Sequence, residues 1–234
     1  MVNSCELQIG RKVGVLIGLE NRKVSAAGPR AYSNTMKVPL EFYIREDVVQ
    51  IGRDLLGKVL CTNIDNQITK AVITETEAYA GVKDKASHAY GGKRTKRTEP
   101  LYAHGGTAYV YLCYGIHHLF NVVTNEVDTP HAVLIRAGTP LEGIDLMQKR
   151  RKNPQLDKML LAGPGSLGQG LGITTELTGT NLLGNRIWLE DQDIHIDGKA
   201  IATGPRVGID YAEKDAGRPY RFTVDADDLS VRPS

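Results

Sequence analysis

The sequence predicts an α+β fold, in which a single domain with a curved, mostly antiparallel β-sheet is flanked by helices. Two observations lead to this fold class. Thr107–Tyr114 is rich in Tyr, Val and Leu, and together with the two segments that follow it predicts an antiparallel meander. In addition, no internal repeat or linker divides the chain between Phe42 and Val231, so one domain accounts for this region.

The composition is ordinary for a globular protein, with 41% hydrophobic and 24% charged residues among 234. The formal net charge of +2 is compatible with nucleic-acid binding but is too small to argue for it. The chain has three cysteines without a C-x-x-C pair, and it has neither a signal peptide nor an apolar run of about 18 residues. We therefore expect an intracellular protein without membrane spans, cytoplasmic or nucleoid-associated if bacterial.

The N-terminal segment has no sustained hydrophobic period. Residues 1–37 end in small, polar, turn-prone residues, and we expect a poorly ordered extension there, with the folded domain in residues 38–234. Met36 stands just before the first patterned segment and is a possible alternative start.

A helix and a hairpin are expected next. Glu46–Gly57 has acidic residues in its first turn, apolar residues mostly on one side and a glycine at its end, which predicts a helix. Lys58–Ile64 and Thr69–Tyr79 are expected to be strands, joined by a tight turn at Asp65-Asn66.

The meander follows a polar loop, Tyr90–Gly106, which contains the basic run 93–97. A basic run is usually a solvated loop, although beside a site it can contact phosphate. After Thr107–Tyr114, the Tyr114-Gly115 pair is expected at a hairpin tip, and His117–Asn125 and His131–Ala137 are expected to be strands.

The C-terminal part of the chain mixes helices and strands. Gly163-Pro164-Gly165-Ser166 interrupts the chain, so Ser166 is expected to cap a short helix that ends at Gly172. The other expected elements are helices over Pro140–Lys152 and Leu156–Ala162, and strands over Arg186–Glu190, Lys199–Ile209 and Tyr220–Val224.

Three polar side chains share one face of the second strand. Glu75, Glu77 and Tyr79 are two residues apart, so their side chains point to the same side of the sheet. Carboxylates on strands are mostly solvated, and spacing alone favours that interpretation over a catalytic site. The sequence around these residues decides between the two.

Aromatic residues suggest what such a site could hold. The chain has ten Tyr against three Phe and one Trp, and a Tyr ring with its polar tip suits a pocket that stacks a heteroaromatic ring. We expect Tyr109 to be an ordinary half-buried sheet residue, whereas Tyr114 at a hairpin tip could act as a wedge between stacked bases. Metal is not the leading idea, because His117 and His118 point to opposite faces of a strand and no metal-ligand spacing occurs.

The motifs together identify a family that the chain resembles. Their order closely resembles that of the alkyladenine (3-methyladenine) DNA glycosylase family over about Phe42 to Val231. The matching motifs are Glu75-Thr76-Glu77-Ala78-Tyr79, His88, Tyr109-Val110-Tyr111, Tyr114-Gly115, Asn121-Val122, Val133-Leu134-Ile135-Arg136-Ala137, Pro140-Leu141-Glu142-Gly143, Gly163-Pro164, Pro205-Arg206-Val207-Gly208-Ile209 and Arg218-Pro219 with Arg221-Phe222.

The resemblance implies a monofunctional repair enzyme that flips an alkylated purine out of double-stranded DNA and hydrolyses its N-glycosidic bond without metal or cofactor. Glu77 matches the general base that activates the attacking water. Arg136 and the backbone carbonyl of Val207 match the groups that help to hold this water. We expect the protein to act as a monomer.

Base recognition is assigned in the same way. Tyr79, His88 and Tyr111 match the aromatic walls between which the extruded purine stacks. Tyr114 matches the wedge that fills the vacated place in the duplex, and Asn121 matches the residue that discriminates against the amino group of guanine.

Three positions depart from the family pattern: Thr98 for Asn, Ser166 for Lys and Tyr220 for Trp. The change at Ser166 removes a cation from a helix N-terminus and puts a phosphate contact there in doubt. Two alternatives stay open. One is a module that grips damaged DNA through Tyr114 without cutting it, and the other is a nucleic-acid-binding sheet attached to unrelated chemistry, as in some tRNA-modifying enzymes.

Overall fold

The fold is given by a computed structural model that describes residues 36–152 and 159–231. The helices in these ranges are α1 Leu40–Tyr43, α2 Val48–Asp54, α3 Ile144–Arg151 and α4 Pro164–Leu171. The strands are β1 Met36–Lys37, β2 Val59–Ile64, β3 Gln67–Tyr79, β4 Ala108–Cys113, β5 His117–Thr124, β6 His131–Glu142, β7 Ile187–Asp191, β8 Ile194–His195, β9 Ala202–Gly204, β10 Arg221–Thr223 and β11 Ser230–Val231. Short 3-10 turns are Gly81–Lys83, Tyr90–Gly92, Glu99–Tyr102, Thr175–Leu177, Asp210–Asp215 and Ala226–Asp228.

One large sheet dominates the described part of the chain. Its main order is β1-β7-β2-β3-β6-β5-β4, and β10 joins it along β3 with β9 on the outer side of β10. Neighbouring strands of this sheet run antiparallel, while β8 and β11 form a separate two-stranded ribbon. The sheet does not close on itself. The predicted α+β class with a mostly antiparallel sheet is therefore confirmed.

Strand β3 is the strand around which the site is built. Its first half pairs with β2, and β10 takes over the same edge at residues 75–77, after β2 has ended. Strand β6 pairs along the other edge, with register shifts between Ile73 and Glu75 and between Glu75 and Thr76. Irregularities of this kind increase local twist and re-aim side chains. They fall at the carboxylate-bearing segment of β3.

Two tight turns match their predictions. Asp65 and Asn66 have φ of 53° and 59°, and Tyr114 and Gly115 have φ of 51° and 74°. Positive φ at both central residues is the geometry of a two-residue hairpin turn whose twist matches that of the strands. The β2–β3 and β4–β5 hairpins are therefore formed where the sequence predicts them.

Helices cover one side of this sheet. Ile51 and Leu55 from the α2 region and Leu167 from α4 are fully or almost fully buried against Ile73 and Phe120 of the sheet. Burying such side chains contributes roughly 1.5–3 kcal/mol each. This packing holds β3 and the neighbouring meander in fixed positions beneath the helices.

The first predicted helix is found, with shorter bounds. Asp47 lies outside the helical turns as the N-cap of α2, and its carboxylate accepts hydrogen bonds from Val49 N at 2.9 Å and Gln50 N at 3.0 Å. Gly57 has φ of +78° just beyond the helix end, a conformation that glycine adopts without a steric cost.

The helix predicted over Pro140–Lys152 begins too early. Strand β6 continues to Glu142, where it pairs with Lys70 of β3, and α3 begins only at Ile144. Pro140 lies opposite Ala71 beside a register shift, a place in a sheet where a residue without an N–H group is tolerated. Cross-strand pairing therefore decides this segment.

Two predictions near α4 are also wrong. Ser166 lies inside α4 and does not cap it, because Gly163 is the N-cap and Pro164 the first helical residue, where proline costs no hydrogen bond. Within the predicted helix Leu156–Ala162, residues 156–158 lie outside the described ranges, residues 159–161 form a turn and residue 162 is irregular.

The strand predicted over Lys199–Ile209 is mostly irregular. Only Ala202–Gly204 forms a strand, and it pairs with β10. After it, Arg206 turns inward to a buried ion pair with Asp84, and Val207 then reaches β3. These long-range contacts override local strand propensity.

Most of the predicted N-terminal extension lies outside the described residues. Its last two residues form β1, in which Met36 pairs with Asp191 and Lys37 with Glu190 at the edge of the sheet. The described residues, 36–152 and 159–231, belong to one compact unit. Among the helices of the described ranges, none is long and apolar enough to cross a membrane.

Candidate active site

Glu77 lies at the centre of a buried hydrogen-bond cluster. Its side chain is 0% exposed, and its Oε2 accepts a 2.8 Å hydrogen bond from the Tyr79 hydroxyl. Its Oε1 accepts a 2.7 Å hydrogen bond from the backbone N–H of Val207, which comes from the loop 130 residues later. Nη1 of Arg136 lies 3.4 Å from the same oxygen. A buried carboxylate is therefore surrounded by two donors and a cation.

Glu75 is the second carboxylate of this face, and its partners differ. Its Oε1 accepts from Nε of Arg136 at 2.9 Å and from Nε of Arg221 at 2.6 Å. We refer to Glu75, Glu77, Arg136 and Arg221 as the carboxylate cluster. Two carboxylates and two guanidinium groups balance in charge there, which offsets part of the cost of removing them from water.

The electrostatics of the cluster keep its donors protonated. Burial lowers the pKa of the Arg136 guanidinium, but the charges of Glu77 and Glu75 outweigh burial, and the net pKa is raised. Burial and the charge of Glu77 raise the pKa of the Tyr79 hydroxyl well above its ordinary value. Tyr79 therefore keeps its proton and donates a hydrogen bond to Glu77 near neutral pH.

A cavity of about 650 Å³ opens beside this cluster. Its wall contains most of the residues that the sequence predicted for the site: Tyr79, His88, Tyr111, Tyr114, Asn121, Arg136 and Val207. Glu77 is absent from the wall and lies directly behind Tyr79, Arg136 and Val207. A molecule in the cavity reaches this carboxylate only if one of these three groups shifts.

The aromatic side of the cavity contains His88 and Tyr111. Their ring centroids are 4.6 Å apart at an interplanar angle of 73°. Burial, with the nearby charges of Arg97 and Lys93, lowers the pKa of His88 to about 4. A neutral imidazole therefore stands against Tyr111 at physiological pH.

Tyr109 is part of this candidate site, whereas the sequence predicts an ordinary half-buried sheet residue there. It is 2% exposed, lines the cavity, and its hydroxyl lies 2.9 Å from Nδ1 of His88. The available signal was the strand period, because Tyr109 and Tyr111 are two residues apart and share one face. Arg97, from the basic run, stands 5.4 Å from the Tyr111 ring centroid at the cavity.

Asn121 is held rigidly at the cavity wall. It is 4% exposed, and its Nδ2 donates to the carbonyls of Tyr109 at 3.1 Å and Leu119 at 3.3 Å. Because both contacts are with backbone atoms of β4 and β5, the side-chain amide has a fixed orientation.

Tyr114 is the most exposed of the predicted site residues. Its relative exposure is 91%, and the adjacent Ile116 and Leu112 are 70% and 44% exposed. We refer to residues 112–116 as the hairpin tip. The backbone turn directs these apolar side chains outward at the mouth of the cavity.

Two of the three residues that depart from the family pattern, Thr98 and Tyr220, make identifiable local contacts. Thr98 is buried, and its hydroxyl bonds to Thr95 N and Lys93 O, so that it organises the basic loop. The Tyr220 ring lies 5.3 Å from the guanidinium of Arg206. Ser166 lines the cavity near the start of α4.

Among residues 36–152 and 159–231, no group of three or more His, Cys, Asp or Glu is arranged to hold a metal ion. In particular, Nδ1 of His118 accepts a hydrogen bond from Thr175 N at 3.1 Å, and His117 lines the cavity. Cys113 is half-buried and also lines the cavity.

A buried carboxylate paired with arginine beside an aromatic cavity is an arrangement suited to hydrolysis of a bond to a flat, heteroaromatic group. Residues 41–228 match the family model described as methylpurine-DNA glycosylase (MPG). The chain belongs to this family of DNA repair enzymes, which hydrolyse N-glycosidic bonds.

Curated relatives agree with the family match. A protein of Chlamydia abortus is 46% identical over 192 residues, which cover 80% of this chain and 97% of the relative. One of Desulfitobacterium hafniense is 44% identical over 200 residues, covering 82% and 97%, and one of Bacillus cereus is 43% identical over 196 residues, covering 80% and 95%. Each carries the provisional name 3-methyladenine DNA glycosylase.

Proposed function

We propose that this protein excises alkylated purines of the 3-methyladenine type from double-stranded DNA, by direct attack of a water molecule that Glu77 activates. The observation that carries the proposal is the position of Glu77, buried between Arg136, Tyr79 and Val207 immediately behind an aromatic cavity. The names of the curated relatives support the same substrate class.

Cleavage of an N-glycosidic bond builds positive charge on the sugar. A carboxylate close to that sugar stabilises the charge and takes a proton from the attacking water, as in glycoside hydrolysis generally. The two hydrogen bonds from Val207 N and Tyr79 occupy only part of the lone pairs of Glu77, so the carboxylate can accept a bond from water once one of the groups in front of it has shifted.

Arg136 assists in two ways in this proposal. Its Nη1 lies 3.4 Å from Oε1 of Glu77 and helps to hold that carboxylate in place, and its position in the cavity wall lets it contact a water molecule there. The carbonyl of Val207 is expected to help to hold this water, while the N–H of the same residue bonds to Glu77.

The purine is proposed to stack among Tyr79, His88 and Tyr111. Electron-rich rings attract a cationic alkylated base, by about 1–2 kcal/mol when water is excluded. Asn121, with its orientation fixed by two backbone carbonyls, is proposed to discriminate against the amino group of guanine. A damaged base also costs less to extrude than a sound one.

Tyr114 is proposed to enter the duplex where the flipped base was. Its exposure at a tight two-residue turn supports this role, because a ring that already projects outward can insert without large rearrangement. We further propose that the enzyme acts as a monomer and uses no cofactor.

The test is release of free base from alkylated duplex DNA by the purified protein. We expect 3-methyladenine in the supernatant and intact strands with abasic sites. Binding to the alkylated duplex without base release would instead support a damage-binding module, and absence of both would contradict the proposal.

A further inference from the structure

Arg206 is a fully buried arginine beside the carboxylate cluster. Its guanidinium forms a two-pronged contact with Asp84, in which Nη1 lies 2.5 Å from Oδ2 and Nη2 lies 2.8 Å from Oδ1. Both side chains of the pair are 0% exposed. Nη1 also donates to the carbonyl of Ala78 at 2.9 Å, and Nη2 to that of Asp215 at 3.2 Å.

Asp84 is equally well anchored. Its carboxylate accepts from Ala80 N at 3.0 Å and from Ala86 N at 3.1 Å. These two amides flank the turn that connects the end of β3 with His88. The Arg206–Asp84 pair therefore ties this turn to the loop at residues 205–209.

The guanidinium of Arg206 also contacts two aromatic rings. It lies 4.7 Å from the ring centroid of Tyr79 and 5.3 Å from that of Tyr220. Tyr79 lines the cavity whereas Arg206 does not, so the cation contacts this ring from the protein interior. A planar guanidinium can stack on a ring and hold a carboxylate in the same plane, which an ammonium group cannot do.

Both hydrogen-bond donors to Glu77 adjoin Arg206. Val207, which donates its N–H to Oε1, directly follows Arg206, and Tyr79, which donates to Oε2, is the ring over which the Arg206 guanidinium lies. We propose that Arg206, fixed by Asp84, is a positioning residue that sets the orientation of both donors and hence of the Glu77 carboxylate. This inference rests on the proposed role of Glu77 in the reaction.

Stability alone does not explain the pair. A buried ion pair repays its desolvation cost only with good geometry, and well-packed apolar residues often serve stability equally well. The pair instead joins the loop at residues 205–209 to the turn that follows β3. Displacement of a catalytic group by about 1 Å can cost a large factor in rate.

The test is Arg206→Lys, which keeps a positive charge for Asp84 but removes the planar fork. Single-turnover excision is measured over a range of enzyme concentrations, at a temperature at which circular dichroism shows each protein to be fully folded. We expect the maximal rate to fall about tenfold or more, while the half-saturating enzyme concentration changes by less than about threefold. A purely structural role would not produce this split.

The matched control is Arg218→Lys. Like Arg206, Arg218 contacts Asp215, here through Oδ1 at 2.9 Å. Its described contacts are with Asp215 and Tyr220, whereas Arg206 also contacts Asp84 and Tyr79. We expect its maximal rate to stay near the wild-type value. If Arg206→Lys does not fold, the doubly neutral variant Asp84→Asn/Arg206→Gln, which leaves no unpaired buried charge, is measured in its place with the same expectation.

Three outcomes overturn the inference. The first is a wild-type maximal rate in the folded Arg206→Lys or doubly neutral protein, and the second is an equal loss of maximal rate in the Arg206 and Arg218 variants. The third is a change in the half-saturating enzyme concentration without a change in maximal rate. Glu77→Gln is assayed in parallel to separate the two proposals. If Glu77→Gln is inactive and Arg206→Lys is normal, only the present inference fails. If Glu77→Gln keeps full activity, the proposed role of Glu77 fails.

Discussion

The carboxylate cluster and the hairpin tip are opposite in character, although both border the same cavity. Glu77 is fully buried and bonded through both oxygens, whereas Tyr114 is 91% exposed. The cluster is assembled from β3, β6 and β10 and accepts the Val207 N–H from a distant loop, while the tip is a local turn between β4 and β5. The comparison indicates that substitutions in the cluster should change the rate of chemistry, and those at the tip should change binding.

The largest effect is expected within the cluster, where Glu77 and Glu75 can be compared directly. Glu77→Gln keeps the shape but removes basicity and negative charge, so single-turnover excision should fall by at least about 10²-fold with lesion binding largely preserved. Glu75→Gln is the matched control, because Glu75 bonds only to Arg136 and Arg221 among its described contacts, and it should mainly lower stability.

The result for the two glutamates can also contradict the assignment. If Glu75→Gln is inactive and Glu77→Gln excises at a near wild-type rate, the catalytic position is one strand period away. If both variants stay active, no carboxylate of this face acts as the base.

The proposed role of the hairpin tip in duplex binding is tested with Tyr114→Ala. Loss of one stacked aromatic should weaken binding to a lesion-containing duplex by about 1–3 kcal/mol. Binding to a single-stranded substrate should weaken less, because no gap in a duplex has to be filled. Equal losses on both substrates would argue against insertion into the duplex.

The buried side of the cavity should make the free energy of unfolding depend on pH, through His88, whereas the exposed hairpin tip should not contribute to this dependence. Because the pKa of His88 is lowered to about 4 in the folded protein, the unfolded chain binds more protons between about pH 4 and 6.5, and stability falls as the pH falls through this range. Between pH 7 and pH 5 the free energy of unfolding should decrease by about 2 kcal/mol on this account.

His88→Gln provides the control for this prediction in denaturant titrations at the two pH values. The variant should lose that part of the pH dependence and keep the part that comes from His131, whose pKa burial also lowers. An unchanged pH dependence in the variant would show that His88 is not the titrating group.

The smallest effect is expected for Tyr109→Phe, which removes one hydroxyl from the wall of the cavity that both the carboxylate cluster and the hairpin tip border. The contact of this hydroxyl with His88 fixes the imidazole, and a hydrogen bond of this kind is worth about 0.5–1.5 kcal/mol. Lesion binding should weaken by about 2- to 10-fold. Tyr102→Phe, which loses a contact with Lys93 O outside the cavity wall, is the matched control and should bind normally.

Local elements were predictable from sequence, and long-range ones were not. The two hairpin turns at Asp65-Asn66 and Tyr114-Gly115 occur as predicted, because turn conformation depends on adjacent residues. The extension of β6 through Pro140 and the loop after Gly204 were not predicted, because pairing with β3 and the Arg206–Asp84 contact decide them.

The sequence by itself determined the α+β class, the strand that carries the two carboxylates and, through its motifs, the family. It placed Glu75 and Glu77 on one face but could not distinguish them by spacing. Only the tertiary structure gave Glu77 the Val207 N–H and placed Tyr109 against His88. The physical reason is distance along the chain: these contacts join residues 130 and 21 positions apart, and their geometry is fixed by packing of the whole domain rather than by local conformational preference.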